Sequence, residues 1–344
     1  MLRRDVEFKA AFTVSQKPYR AKLDQNESPY DLPDDVKAYL SERLKEASWN
    51  RYPQPATYAE VKETFAREMD VPADNVALTF GGDQTILSAF LVAGGPSSKA
   101  VVFEPTYPMF RHYALATGTP TDFVILGEEY SPSPDDFKGK GYRLITFVSP
   151  NNPTGNLIDL DVLREALETG ALVFVDEAYY PFARVSVWDA FKDYPNLMVG
   201  RSLSKSMLAG MRMGYVLSSP EVIAAVEHMN FAPYNLTHLH LTLFREYGVI
   251  KPHLNRGVDT VIAERERIFR FLRDVGLNPF PSFANFVMFK TERHRDLYNF
   301  LTDFGVRIRD VSGLPGLSNH LRVTVGRPEE NAIFMEGVRR FLGL

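Results

Sequence analysis

The sequence predicts an α/β protein in two parts: a doubly wound, mixed but mostly parallel seven-stranded sheet between helices over 48–250, and a small α+β part formed by 251–344 together with an N-terminal arm, 1–47. Three observations carry this. From Ala56 to Leu217, short apolar runs alternate with stretches of helical spacing, the pattern of repeated βα units. After Pro220 the pattern changes to long helices and then to a few strands and helices of a different order. Several apolar runs end in polar residues, which would then gather along one edge of a parallel sheet, where ligands of such sheets sit.

The arm begins with extended Ala21-Lys22-Leu23-Asp24 and the turn-rich Asn26-Glu27-Ser28-Pro29-Tyr30. A helix follows, marked by Asp34 and by Val36, Leu40 and Leu44 at four-residue spacing. Val61, Phe65 and Met69 mark the next helix. Strands are expected at Val76–Phe80, Ala100–Phe103, Asp122–Leu126, Leu144–Ser149, Leu172–Val175, Leu197–Arg201 and Gly214–Leu217. The helical region after Pro220 should break at Pro233 and Pro252, because proline lacks the N–H and its ring crowds the preceding turn. Val258, Val261, Ile262, Ile268, Phe269 and Leu272 then share one helix face, which bridges to the small part. There, strands are expected at Asn285–Phe289, Val306–Arg309 and Leu321–Val325, with helices near Arg293–Phe304 and Glu329–Phe341.

The 344 residues are 45% hydrophobic and 24% charged, with a formal charge of −4. That balance offers no basic field for nucleic acid or an anionic membrane, so small molecules are the expected partners. The absence of cysteine excludes disulfides, thiolate zinc sites and a cysteine nucleophile. No signal-like apolar run opens the chain and no window resembles a membrane span, which makes a cytoplasmic location the expectation.

The chain's chemistry centres on Asp176 and Lys205. Val173-Phe174-Val175 reads as a strand buried on both faces that delivers Asp176 to the ligand edge. Twenty-nine positions later, Arg201-Ser202-Leu203-Ser204-Lys205 brings two hydroxyls and an amine to the same edge. An acid and an amine facing one pocket suit pyridoxal phosphate, which a lysine holds as a Schiff base while a carboxylate partners the pyridinium nitrogen. Taken alone, such an Asp is more often a turn former and such a Lys a solvated charge.

Other strings point the same way. Gly81-Gly82-Asp83, between a strand and a helix, lets main-chain N–H groups approach a phosphate, or else makes a tight turn capped by Asp83. It is neither a Walker A nor a Rossmann sequence. Tyr107, after the strand ending at Phe103, either stacks on a flat ring or packs in the core. Ser149-Pro150-Asn151-Asn152-Pro153-Thr154-Gly155 fixes its backbone with two prolines and leaves the Asn152 amide able to donate to a phenolate oxygen. The Tyr179 hydroxyl would donate to the same oxygen, and two donors there lower the Schiff-base pKa. Ser202, Ser204 and Arg212 suit a phosphate. Arg322, in an otherwise apolar β-branched strand, needs an anion, either a substrate or a structural partner. Arg309 is a second candidate of the same kind.

These strings, with Lys22-Leu23-Asp24-Gln25-Asn26-Glu27, Arg51-Tyr52-Pro53, Pro233-Tyr234-Asn235 and the stretch from Leu321 to Glu330, span nearly the whole chain. Together they resemble the fold-type I, class I/II pyridoxal-phosphate aminotransferases, and within them the histidinol-phosphate aminotransferase branch. The resemblance implies Lys205 as Schiff-base lysine, Asp176 as pyridinium partner, Asn152 and Tyr179 as donors to the ring hydroxyl, and Tyr107 as the stacking aromatic. It implies a phosphate cradle of Gly82, Asp83, Ser202, Ser204 and Arg212. It also implies a homodimer in which Tyr52 reaches the neighbouring subunit's phosphate. Arg322, with Arg309 and Asn26, would bind substrate, and the partners would be an amino donor and a keto-acid acceptor.

Two features depart from the family pattern. Lys205 and Arg212 are seven positions apart where the family usually has eight, and Pro18-Tyr19 lies closer to Leu23 than the family's Pro-Tyr motif does. A decarboxylase of the threonine-phosphate type and a catalytically silent binding protein are the alternatives on the same fold.

Overall fold

The computed structural model describes residues 18–344. Its strands are β1 (Ala21–Lys22), β2 (Val76–Phe80), β3 (Ala100–Glu104), β4 (Thr121–Ile125), β5 (Leu144–Val148), β6 (Leu172–Asp176), β7 (Leu197–Ser202) and β8 (Met213–Ser218), then β9 (Phe286–Lys290), β10 (Val306–Arg307), β11 (Arg309–Asp310) and β12 (His320–Thr324). The seven expected strands form one sheet in the order β2-β8-β7-β6-β5-β3-β4. Strands β3 to β7 pair in parallel, and β8 runs antiparallel to both its neighbours.

The period-2 rule explains how this sheet is covered. Val76, Val101, Ile145, Val173, Val199 and Leu217 enter a cluster with the helices Pro55–Glu68, Leu160–Leu167 and His238–Arg245. The residues next to them, including Ala77, Val102, Phe174, Met198 and Val216, enter a second cluster with Gly81–Ala93, Met109–Thr117 and Pro220–Met229. Both faces are therefore dry, which is why the strands read as continuous apolar runs rather than alternating ones.

A third cluster joins β1, β9, β10 and β12 to the helices Tyr247–Asp274, His294–Asp303 and Pro328–Leu342. The arm contributes to two clusters: Ala21 and Leu23 pack here, whereas Val36 and Leu40 of the helix Asp34–Lys45 pack with the large sheet.

Two local expectations are corrected. The helix Tyr247–Asp274 runs through Pro252, which lies so close to its start that the missing N–H removes an early bond without splitting the ladder. This helix buries Ile250 and Leu254 in the large cluster and Val258, Val261, Ile268 and Leu272 in the small one, so it bridges the two. The expected strand Val306–Arg309 divides at Ile308: β10 pairs in parallel with β1, and β11 pairs antiparallel with β12.

Candidate active site

Because β3, β5, β6 and β7 run in parallel, their C-terminal ends deliver Tyr107, Asn152, Asp176 and Ser202 to one edge, as the apolar runs predict. Asp176 ends β6 buried, accepts the Ala178 N–H at 2.9 Å and has no ion pair among the described residues. Burial is the main reason its pKa rises to about 7. The Ala178 N–H opposes the rise, the Asp83 and Glu177 charges add to it, and Lys205 lowers it. Such a carboxyl is poised for a cationic partner. Tyr179, three residues on, is buried edge-on to Phe286, and its hydroxyl accepts from Asn26 Nδ2 at 3.0 Å.

Lys205 follows β7 in an irregular turn. The Leu203 carbonyl accepts from both Ser206 N and Leu208 N, each at 3.2 Å, and Met207 and Arg212 take positive φ values of 83° and 52°. Lys205 Nζ lies 3.5 Å from the Gln25 carbonyl and 5.9 Å from the Tyr179 ring centroid. The turn also answers the question raised by the short Lys205–Arg212 interval. The tight backbone still carries Arg212 to the start of the helix Gly81–Ala93, where Nη2 meets Asp83 Oδ2 at 2.8 Å.

Asp83 does not cap that helix; its other oxygen accepts the Tyr107 hydroxyl at 3.1 Å. Burial first, and then the Asp83 charge, raise the Tyr107 pKa above that of a free phenol. A Cβ on Gly82 would stand 3.1 Å from Ser202 Cβ. The backbone thus comes close to Ser202, whose Oγ accepts the Ser204 N–H at 3.2 Å. Ser204 Oγ itself is buried without a partner.

The Pro-Asn-Asn-Pro string divides its labour. Asn151 ties two strand ends together: Nδ2 donates to the Pro105 carbonyl at 2.9 Å, and Oδ1 accepts from Thr106 Oγ1 at 2.9 Å. Asn152 faces the cavity, and its Oδ1 accepts from Arg322 Nη1, which leaves the amide N–H₂ as the free end. Gly155 has φ +83°, and a Cβ there would fall 2.5 Å from Ser282 Oγ. Only glycine lets this loop reach the segment before β9.

Arg322 is buried in β12, its Nη2 donates to the Asp24 carbonyl at 2.8 Å, and its Nε has no partner. Arg309 stands directly across from it in β11. Burial above all, with Arg309 as a further cause, lowers the Arg322 pKa to about 10. Two facing cations, one of them buried, are arranged for an anion.

Most of these residues line one cavity of about 450 Å³. Of the sequence-predicted residues, Lys205, Asp176, Tyr179, Asn152, Gly82, Asp83, Tyr107, Ser202, Ser204, Arg212, Arg322, Arg309 and Asn26 line it. Tyr52 does not: it is 78% exposed and lies edge-on to Tyr234. Tyr19 is also outside the lining. Sequence reasoning missed Asp24 and Gln25, which line the wall through the arm, and Val311 and Leu314, which form an apolar wall after β11. No motif marks that wall; only the pairing of β11 with β12 brings it there.

The residues present fit pyridoxal phosphate. Ser204 Oγ is an orphaned buried hydroxyl, Arg212 is held at the start of the helix Gly81–Ala93 by Asp83, Asp176 is a buried carboxyl in no ion pair among the described residues, and all three line the same cavity. Fold and cavity together define an enzyme of pyridoxal-phosphate chemistry on a mostly parallel sheet. The chain matches the family Aminotransferase class I and II over residues 21–338 and belongs to it, with pyridoxal phosphate as its cofactor.

The chain is similar to histidinol-phosphate aminotransferase of Thermococcus gammatolerans, at 36% identity over 96% of this chain and 95% of that protein. It is similar to histidinol-phosphate aminotransferase 1 of Carboxydothermus hydrogenoformans at 33% identity, covering 91% and 90%. Among solved structures, histidinol-phosphate aminotransferase from Clostridium acetobutylicum superposes with a TM-score of 0.84 at 21% identity, covering 94% of this chain and 99% of that one, a likeness of fold.

Proposed function

We propose that this chain is a histidinol-phosphate:2-oxoglutarate aminotransferase, which moves the amino group of histidinol phosphate to 2-oxoglutarate. The observation that carries the substrate choice is Arg322, a buried guanidinium with an unpartnered Nε, which lines the cavity opposite Arg309. A phosphate there would meet the positive charge of both residues and offer an acceptor to Arg322. The relatives that bear this name match the chain over nearly its full length and support the same reading.

In this reading pyridoxal phosphate supplies the carbonyl that takes up the amine and the ring that accepts the electrons of the broken Cα–H bond. Gly82 and Asp83 main-chain groups, Ser202, Ser204 and Arg212 would hold its phosphate, with Asp83 orienting Arg212. Asp176 would keep the ring nitrogen protonated, Tyr107 is the aromatic available to the ring, and Asn152 Nδ2 and the Tyr179 hydroxyl would donate to its oxygen. Arg322 orients Asn152 while it binds the substrate anion, so substrate and cofactor contacts share one guanidinium. Lys205 Nζ, released when the substrate amine takes its place, would carry the proton from the substrate α-carbon to the cofactor carbon that bore the carbonyl.

A homodimer and a cytoplasmic location complete the proposal. An exposed aromatic group of Tyr52, Phe231 and Tyr234 supports the dimer reading, in which Tyr52 would stand at the interface. Among the described residues no helix is long and apolar enough to cross a membrane. We divide the chain into a cofactor-binding part, 48–250, and a small part, 251–344 with the arm.

Visible absorbance of the purified protein, with L-glutamate and then histidinol phosphate added, tests this beside Lys205→Ala. Both compounds should bleach the lysine-bound cofactor band, and the variant should respond to neither. A response to glutamate and phenylalanine but not to histidinol phosphate would retain the aminotransferase and remove this substrate. Carbon dioxide release from threonine phosphate would favour the decarboxylase. No response to any amine would indicate a silent binder.

A further inference from the structure

We infer that Asn26 is a positioning residue for Tyr179: together with Thr324 it sets the direction in which the Tyr179 hydroxyl donates its hydrogen. The inference rests on the reading of the cavity as the cofactor site. Three distant segments meet here, the arm, β12 and the turn after β6. Thr324 Oγ1 accepts the Asn26 N–H at 3.0 Å and donates to Asn26 Oδ1 at 2.8 Å. A hydroxyl has one hydrogen, so this exchange uses it and makes Oδ1 an acceptor. The Asn26 amide is thereby oriented with Nδ2 toward Tyr179, and it donates to the phenol oxygen at 3.0 Å.

A phenol that accepts from an amide has its own hydrogen left for another acceptor, and Tyr179 lines the cavity. Asn26 is 1% exposed, and its main-chain carbonyl accepts from Asn285 Nδ2 at 3.0 Å, so the residue is locked on both sides. Its φ of 55° is one that asparagine tolerates better than most residues. Both polar ends of its side chain are engaged, Oδ1 by Thr324 and Nδ2 by Tyr179, which assigns it to orientation of the phenol.

The test is a pH titration of the visible band of the cofactor-loaded protein. It compares wild type with Tyr179→Phe, Asn26→Gly, Asn26→Asp, Thr324→Ser and Thr324→Val. Glycine keeps the positive φ without the amide, and aspartate keeps the shape but accepts the phenol hydrogen instead of donating. Losing the Tyr179 donor should move the midpoint up by about one pH unit. Both Asn26 variants should move it in the same direction by at least half as much. Thr324→Ser should titrate with wild type and Thr324→Val should not. That pair tests the chain of bonds even if an Asn26 variant fails to fold.

Asn26 and Thr324 variants that titrate with wild type, while Tyr179→Phe shifts, overturn the inference. So does an unshifted Tyr179→Phe, with the site reading intact. A wild-type protein without the band would sink the site reading beneath it, and the inference with it.

Discussion

Replacing Asp176 by asparagine should stabilise the cofactor-free protein at neutral pH while it abolishes turnover. In the unfolded chain this carboxyl ionises near 3.8, whereas in the fold burial raises its pKa to about 7. Between these values the folded state holds a proton that the unfolded state has released. Stability is therefore fully present below pH 4, falls as pH rises through the window, and levels above pH 7. At about 1.4 kcal/mol per pH unit, the gap sets a ceiling of ~4 kcal/mol, which local rearrangement and water entry will reduce.

Asparagine does not titrate and can still accept the Ala178 N–H, so the difference between variant and wild type isolates this one group. Urea midpoints of both apoproteins from pH 4.5 to 8.5 measure it. The advantage of the variant should grow through the window and then level. Added pyridoxal phosphate should reverse it, because a ring cation stabilises the carboxylate and only the wild type gains that pair. A difference that stays constant with pH, or a variant that is the less stable protein at pH 8, would refute the reasoning.

Arg322→Gln should raise KM for histidinol phosphate by roughly 30- to 1000-fold, the loss of a buried charge-assisted contact, and Arg309→Gln by roughly a tenth of that; steady-state kinetics decide. Gly155→Ala should cost roughly 1–3 kcal/mol in urea unfolding, because alanine is strained at φ +83° and its Cβ collides with Ser282. Ser282→Gly in the same chain should recover part of the loss. Sedimentation should give twice 39.0 kDa for wild type. Tyr52→Asp with Phe231→Asp should halve the sedimenting mass, and an unchanged mass would remove the aromatic group from the interface.

Much of the site was legible because parallel topology converts sequence position into spatial position. A polar residue at the end of an apolar run, such as Asp176 after Val175, lands on the ligand edge whatever the packing details. The cavity-lining role of Asn152 was readable from the prolines around it. The role of Asn151 was not, because its partners Pro105 and Thr106 belong to another strand end. The split of Val306–Arg309 was illegible for the same reason. A four-residue run does not say that one half pairs with β1 and the other with β12.

The sequence by itself determined the chemistry-bearing groups and the sheet that presents them: hydrophobic period and turn residues are local, and Asp176, Tyr179, Ser202 and Lys205 follow from them. Only the tertiary structure decided how those groups are aimed. Arg322 turns the Asn152 amide, Asp83 holds Arg212 and Tyr107, and Thr324 with Asn26 orients Tyr179. Each of these is a hydrogen bond between residues far apart in the chain. Its direction depends on distances of a few tenths of an ångström, which no local pattern encodes.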